Sequence, residues 1–264
     1  MNATSTAVVP VPVPPLALRA EGRAGAGVGA GAASPGPRVD SALTLLRDAA
    51  ACGRARLSTS FGAEDMVLLD LVVRERLPIE VFTLDTGRLH EETYRLMARV
   101  EERYGRVVRS WFPDAGALQG LVAAQGVNGF YDSVAQRQAC CRVRKVEPLA
   151  RALAGAQAWV PGQRAAQSVT RTALPPREHD AAHGLEKFNP LHDWSEAEVW
   201  AYLRAHAVPT NELHERFFPS IGCAPCTRAI TPGEDLRAGR WWWEQPAARE
   251  CGLHTRAESH PPAP

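Results

Sequence analysis

A chain of 264 residues is long enough to bury the core of one large domain, or of a domain with extensions. Its 30 Lys and Arg against 29 Asp and Glu leave a formal net charge of +1, which argues against general attraction to nucleic acid or membrane surfaces and makes any anion site a local one. No apolar run approaches the roughly 18–20 residues that cross a bilayer.

Residues 1–37 are rich in Ala, Val, Pro and Gly and include the run from Gly25 to Gly31. Such a segment cannot offset its ordering entropy by burial, so it is expected as a disordered extension. The stretch Ala7 to Pro15 is cut by prolines and preceded by no basic residue, which is not the pattern of a secretory signal. The six cysteines are therefore expected to be cytoplasmic thiols or metal ligands rather than a disulfide framework.

Folded structure is expected from near Val39, with Ser41 as the N-cap of a helix through Leu43, Leu45 and Leu46. Ala55 to Thr59 reads as a strand. Ser60-Phe61-Gly62-Ala63 turns into a helix with Met66, Val67, Leu69 and Val73 at apolar positions. Glu80 to Leu84 is a second strand, Thr93 to Tyr104 a helix, Val107 to Trp111 a third strand and Ala156 to Val160 a fourth. The region Leu174 to Glu186 is loop-like. Ser195 to Ala205 is a helix with Glu198 as the capping-box partner of Ser195. After Pro209 the chain is irregular and rich in Cys, Pro and Gly. Strands separated by helical spans predict an α/β fold with a mainly parallel sheet and helices on both faces, and ligands beyond the carboxyl ends of the strands. The expected division is an extension over 1–37, an α/β domain over 38–235 and a mobile C-terminal segment over 236–264.

Several stretches carry chemistry. Ser58 to Asp65 joins a strand to a helix with hydroxyls, a glycine and free N–H groups, which is either an anion cradle or a plain corner capped by Ser60. It lacks the lysine of a Walker loop. Cys223-Ala224-Pro225-Cys226 places two thiols on one turn, and Cys140-Cys141 supplies a second pair. The spacing suits an iron–sulfur cluster or a structural zinc, and a redox disulfide at Cys223 and Cys226 is the third reading. Cys52 reads as packing. Arg142, Arg144, Lys145, Arg164, Arg171, Arg228, Arg237 and Arg240 lie close to these motifs, as expected for recognition of a compact phosphate or sulfate. Trp241-Trp242-Trp243 is expected to pack rather than face solvent, and His90, His192, His206 and His214 read as structural. Near the end, Cys251 is followed by Gly252 and His254, leaving an uncrowded thiol with a base close by.

In chain order, Ser60-Phe61-Gly62-Ala63-Glu64-Asp65, Leu84 to His90, Cys140-Cys141-Arg142 with Arg144-Lys145, Gly162-Gln163-Arg164, Ser220 to Arg228, Gly239 to Glu244 and Glu250 to His254 resemble the assimilatory adenylyl-sulfate reductases. These belong to the adenylyl-sulfate/phosphoadenylyl-sulfate reductase family. The resemblance implies an adenine nucleotide α-hydrolase-like fold with a modified PP-loop, and adenylyl sulfate (APS) as substrate. It also implies a 4Fe-4S cluster on Cys140, Cys141, Cys223 and Cys226. Cys251 would then be the nucleophile, forming an S-sulfocysteine that a thioredoxin- or glutaredoxin-like dithiol reduces to release sulfite. Lys145, Arg237 and Arg240 match the family's basic residues around the phosphosulfate, His254 its active-site histidine, and Ser60, Leu84, Gly162 and Arg171 positions near the nucleotide. A homo-oligomer is left open. The chain departs from the family at Pro161, where a threonine is usual. The phosphorylated nucleotide PAPS is the alternative substrate, and an ATP-dependent PP-loop ligase or thiolase the more distant one.

Overall fold

The computed structural model describes residues 36–165 and 174–245. A helix α1 (Pro37–Ala51) leads into strand β1 (Ala55–Thr59) and helix α2 (Ala63–Arg74), then β2 (Ile79–Leu84), α3 (Glu91–Tyr104), β3 (Val108–Trp111) and α4 (Ala115–Gln125). Helices α5 (Val134–Cys141) and α6 (Glu147–Leu153) follow, then strands β4 (Ala158–Val160), β5 (Arg177–Asp180) and β6 (Leu185–Phe188) and helix α7 (Glu196–Ala205). The six strands form one sheet in the order β3-β2-β1-β4-β6-β5. All neighbours run parallel except β5, which pairs antiparallel with β6 at the edge.

Alternation along the strands divides the core into two layers. Leu57, Val81, Val160 and Phe188 turn to the face covered by α1, α2, α3 and α7. Phe82 and Trp159 turn to the other face, against Leu149, Ala152 and Leu153 of α6. Helix α2 is buried almost all round, from Met66 to Val72, which explains its lack of a polar stripe. Helix α7 begins with the predicted capping box, in which Ser195 Oγ accepts from Glu198 N and the Glu198 carboxylate accepts from Ser195 N.

Two expectations are corrected. Helix α1 starts four residues before Ser41, with Gly36 as its N-cap and Pro37 in its first turn, so Ser41 lies inside the helix. Proline suits that first turn because its missing N–H would have no intrahelical partner there. The stretch Leu174 to Glu186, expected as a loop, contains β5 and the start of β6. Its strands are short and β5 is polar throughout, so no apolar alternation betrays them.

Helices α5 and α6 run into each other through a π-turn at Arg142–Val146, where Glu147 N donates to Arg142 O. Pro148 has no N–H to give to the Arg144 carbonyl, and the helix passes this point with the wider turn. The turn carries Arg144 and Lys145.

One buried carboxylate ties three helices together. Asp70 of α2 has no exposed surface and accepts from Tyr104 Oη of α3 at 2.8 Å and Tyr202 Oη of α7 at 2.6 Å, with Arg74 Nη1 at 3.4 Å. Burial, then the bond to Asp70, raises both phenols above their ordinary value. Replacing Asp70 by Ala strands two hydroxyls in the core, and the expected loss is about 3 kcal/mol in urea unfolding, with Asp70→Asn losing less because one acceptor remains.

Candidate active site

The sheet order reverses direction between β1 and β4, and a large cavity opens there, beyond the carboxyl ends of β1, β2 and β4. It holds about 700 Å³ and is lined by Ser58 to Ser60, Phe82 to Leu84 and Pro161 to Arg164 from the strand ends. Lys145 closes it on one side, and Gly222, Arg237, Arg240 and Trp241 from the irregular region on another. Ser60, Leu84, Lys145, Gly162, Arg237 and Arg240, singled out in the sequence, thus share one wall system. Arg171, Cys251 and His254 lie outside the described residues.

The corner between β1 and α2 is built by Asp65 and not by a Ser60 cap. Gly62 is the N-cap of α2, with no side-chain capping bond. Ser60 N and Oγ both donate to Asp65 Oδ2, at 2.6 and 2.8 Å. Phe61, buried at the bend, takes φ +60, a left-handed conformation that a bulky side chain holds only when its surroundings fix it. Gly162, after β4, approaches so closely that a Cβ there would lie 2.0 Å from Asp65 Oδ1. Arg164 closes the same corner, donating to Glu64 Oε1 through Nε at 2.7 Å and to the Trp194 carbonyl at 3.3 Å.

A second, smaller cavity lies behind Lys145. Cys140 and Cys141 at the end of α5, and Cys223 and Cys226 at the N-cap and last residue of a short 3₁₀ turn, all line it, with Arg88, Phe130, Arg137, Arg144 and Lys145. All four are free thiols in the structure. Thr86 Oγ1 lies 3.3 Å from Cys223 Sγ, Arg144 Nη1 donates to Thr86 O at 2.6 Å, and Ala224 N donates to Arg88 O at 2.8 Å. The β2–α3 loop therefore stitches the two cysteine pairs to the sheet. Burial opposes ionisation of Cys223, yet Lys145, the Thr86 hydroxyl, Arg240 and Arg144 together bring its thiol below the ordinary value. Burial and the neighbouring Cys223 push Cys226 up to about 12. Among the described residues no three His, Cys, Asp or Glu side chains are gathered as a single metal ion would require. The four thiols instead line a cavity flanked by cations; the thiols are donors suited to a soft metal core, and the cations suit the net negative charge that thiolate ligation gives it.

A model of the phosphoadenosine phosphosulfate reductase domain matches residues 54–229. An adenosine 5′-phosphosulfate reductase of Allochromatium vinosum is 64% identical over 199 residues, covering 75% of this chain and 78% of that protein. The chain belongs to the phosphoadenosine phosphosulfate reductase family. Another relative, an adenosine 5′-phosphosulfate reductase of Burkholderia cepacia, is 55% identical over 76% of this chain and 80% of its own. Among solved structures, the phosphoadenylyl-sulfate reductase of Candida auris in a phosphate complex shares 27% identity with a TM-score of 0.61, covering 72% of this chain and 90% of that one. A Candida glabrata FMN adenylyltransferase, at 16% identity and a TM-score of 0.51 over 78% of this chain and 71% of its own, has the same fold. The sheet is thus that of the adenine nucleotide α-hydrolases, mostly parallel, as the resemblance implied.

In this reductase-family chain several residues matter that sequence reasoning left without a role. Arg137 and Glu244 form a buried ion pair, with side chains 1% and 3% exposed. A signal for the first existed, since Arg137 and Cys141 stand four apart on one helix face. Of the tryptophans, Trp241 is buried, while Trp242 is 37% exposed and does not match the expectation that the run turns away from solvent. Arg142 is exposed, and Arg228 pairs with Glu234, so neither serves the cavity directly. Cys52 is half-buried and packs against the main core, as expected. His214, read as structural, also lines the large cavity, with its Nε2 buried.

Burial lifts Asp65 from its ordinary 3.8 to about 6 against the bonds from Ser60. The folded state therefore binds this proton more tightly than the unfolded chain. The stability it contributes is complete below 3.8 and is lost as the pH rises through about 6. Asp65→Asn keeps an acceptor for Ser60 and cannot titrate. Between about pH 4 and pH 7.5 the parent should lose about 2 kcal/mol more than this variant in urea unfolding.

Proposed function

We infer that this chain reduces adenylyl sulfate to sulfite and AMP, the activity that its relatives' names carry. The observation that carries this reading is the clustering of Lys145, Arg237 and Arg240 around one strand-end cavity, with Lys145 also lining the four-thiol cavity. A nucleotide fits beyond the ends of β1, β2 and β4, beside Ser60, Leu84 and Gly162, and Arg171 is assigned to it by the resemblance alone. Its phosphosulfate end meets the three cations.

Cys251 is the nucleophile. Its thiolate forms a bond to the sulfate sulfur, the bond from that sulfur to the phosphate oxygen breaks, and AMP leaves with the electron pair. The enzyme is left with an S-sulfocysteine. A thiolate of a thioredoxin- or glutaredoxin-like dithiol then attacks the Cys251 sulfur, and sulfite departs with the electron pair of the broken S–S bond. The partner's second thiol resolves the mixed disulfide, so the dithiol gives up two electrons, the sulfate sulfur gains them as sulfite, and Cys251 is restored. AMP is a good leaving group, so the chief obstacle is electrostatic: an anionic thiolate must reach an anionic substrate. Lys145, Arg237 and Arg240 offset that repulsion, and His254 stands close to the nucleophile in sequence to favour its thiolate.

Cys140, Cys141, Cys223 and Cys226 would hold a 4Fe-4S cluster, whose contribution is a fixed charge and a brace for the wall that Lys145 shares. Cations around the thiols suit such a group, since thiolate ligation leaves it net negative. The family match and the Candida auris relative carry the name of the 3′-phosphorylated nucleotide, and sulfite formation with each nucleotide separates that reading from this one.

Incubation with radiolabelled adenylyl sulfate and no reductant should place label on the Cys251 peptide, and a Cys251→Ser chain should take none. In Lys145→Ala the protein should keep its iron and sulfide but form the adduct at least about 100-fold more slowly. Normal adduct formation in that variant would remove Lys145 from the mechanism.

A further inference from the structure

Arg137 and Glu244 are 107 residues apart and meet in the interior. Arg137 Nε and Nη2 donate to the two Glu244 oxygens at 2.9 and 2.8 Å. A buried ion pair is a weak source of net stability, because both charges lose their water. What this one touches is more telling. The Arg137 guanidinium stands over the Trp241 indole at 5.0 Å from its centroid, and the Arg240 guanidinium stands over the same ring at 4.6 Å. Trp241 itself takes φ +44, where a bulky residue stays only if its neighbours hold it. Glu244 N donates to Trp241 O at 2.9 Å, so the acid grips the backbone of the turn as well as the arginine.

Arg240 reaches the large cavity from this platform. Its guanidinium passes Gly222 so closely that a Cβ there would lie 2.3 Å from it. Its bonds to Ser220 Oγ and Ile221 O are long, at 3.3 and 3.4 Å. The indole face, 4.6 Å from the guanidinium, is one surface that fixes its direction, as cation–π contact does for buried arginines.

We propose that Arg137 and Glu244 are positioning residues for the oxyanion site: the pair clamps Trp241 in its left-handed turn, and Trp241 presents Arg240 to the sulfate end of the nucleotide. The proposal rests on the reading of Arg240 as a contact to that group. Neither residue lines the large cavity, although Arg137 lines the smaller one among the thiols, so neither acts on substrate directly.

The test uses the full, metal-loaded chain carrying Cys251→Ser, so that binding is measured without reaction. Equilibrium affinities for AMP and adenylyl sulfate are compared, because only the second reports contacts to sulfate. The variant Arg137→Met/Glu244→Leu removes both charges of the pair together, and with them the Arg137 bond to Cys141, so iron and sulfide content is measured beside binding and must match the parent. It should bind AMP within about twofold of the parent and adenylyl sulfate about tenfold more weakly. Arg240→Ala should show the same pattern, and adding it to the double variant should cost at most about twofold more, since both act through one group. Should the double variant melt too early to assay, Arg137→Lys keeps the charge and loses the two-pronged geometry, with an expected loss of about threefold for adenylyl sulfate alone. Equal weakening of both nucleotides would mean a mere strut and overturn the proposal. So would full additivity with Arg240→Ala, or unchanged adenylyl sulfate binding in the folded clamp variants while Arg240→Ala still weakens it. If Arg240→Ala leaves adenylyl sulfate binding intact, the reading of the site fails, and the clamp with it.

Discussion

Lys145 stands at the wall between two cavities, one at the strand ends and one among four thiols, and the arrangement of the site depends on that shared wall. A cation placed there acts on both sides. It draws Cys223 toward the thiolate form while facing the space where the nucleotide would lie. The position is set by backbone as much as by charge. Pro148 withholds an N–H from the helix, the α5–α6 rod widens into a π-turn, and Arg144 and Lys145 ride on that turn directly after the cysteine pair.

The rest of the site is arranged around close approaches. Gly162 lets the end of β4 lie against Asp65, and Gly222 lets Arg240 reach the cavity. Asp65 holds Ser60, and Glu64 holds Arg164, so the cradle after β1 is made rigid by carboxylates before any anion arrives. Acidic groups beside a proposed anion site look contrary to its purpose. Here their partners are Ser60 and the neighbouring arginine, and they spend their charge on geometry.

Much of this was legible in the residues. The run Ala55 to Thr59 forms its strand with the expected bounds because apolar residues alternate there between Gly53 and Gly62. The capping box at Ser195 follows from two side chains whose spacing leaves little choice. The motif residues that line the large cavity were recognisable as a set, since the resemblance spans most of the chain. Other features resist such a reading for physical reasons. Strand β5 is polar because it is an edge, and polar edges look like loops. Helix α1 begins at a proline whose favour for the first turn outweighs the serine beyond it. The partnership of Arg137 with Glu244 joins distant stretches, and neither residue alone carries a pattern that names the other.

Strand β5 has one more consequence. Its residues Arg177, Glu178, His179 and Asp180 put ionisable side chains along the outer border of the sheet, and Arg177 is tied back to Glu186. A foreign strand seeking to add itself there would have to strip water from those groups for the sake of a few main-chain bonds. That border is thereby a poor template for sheet extension.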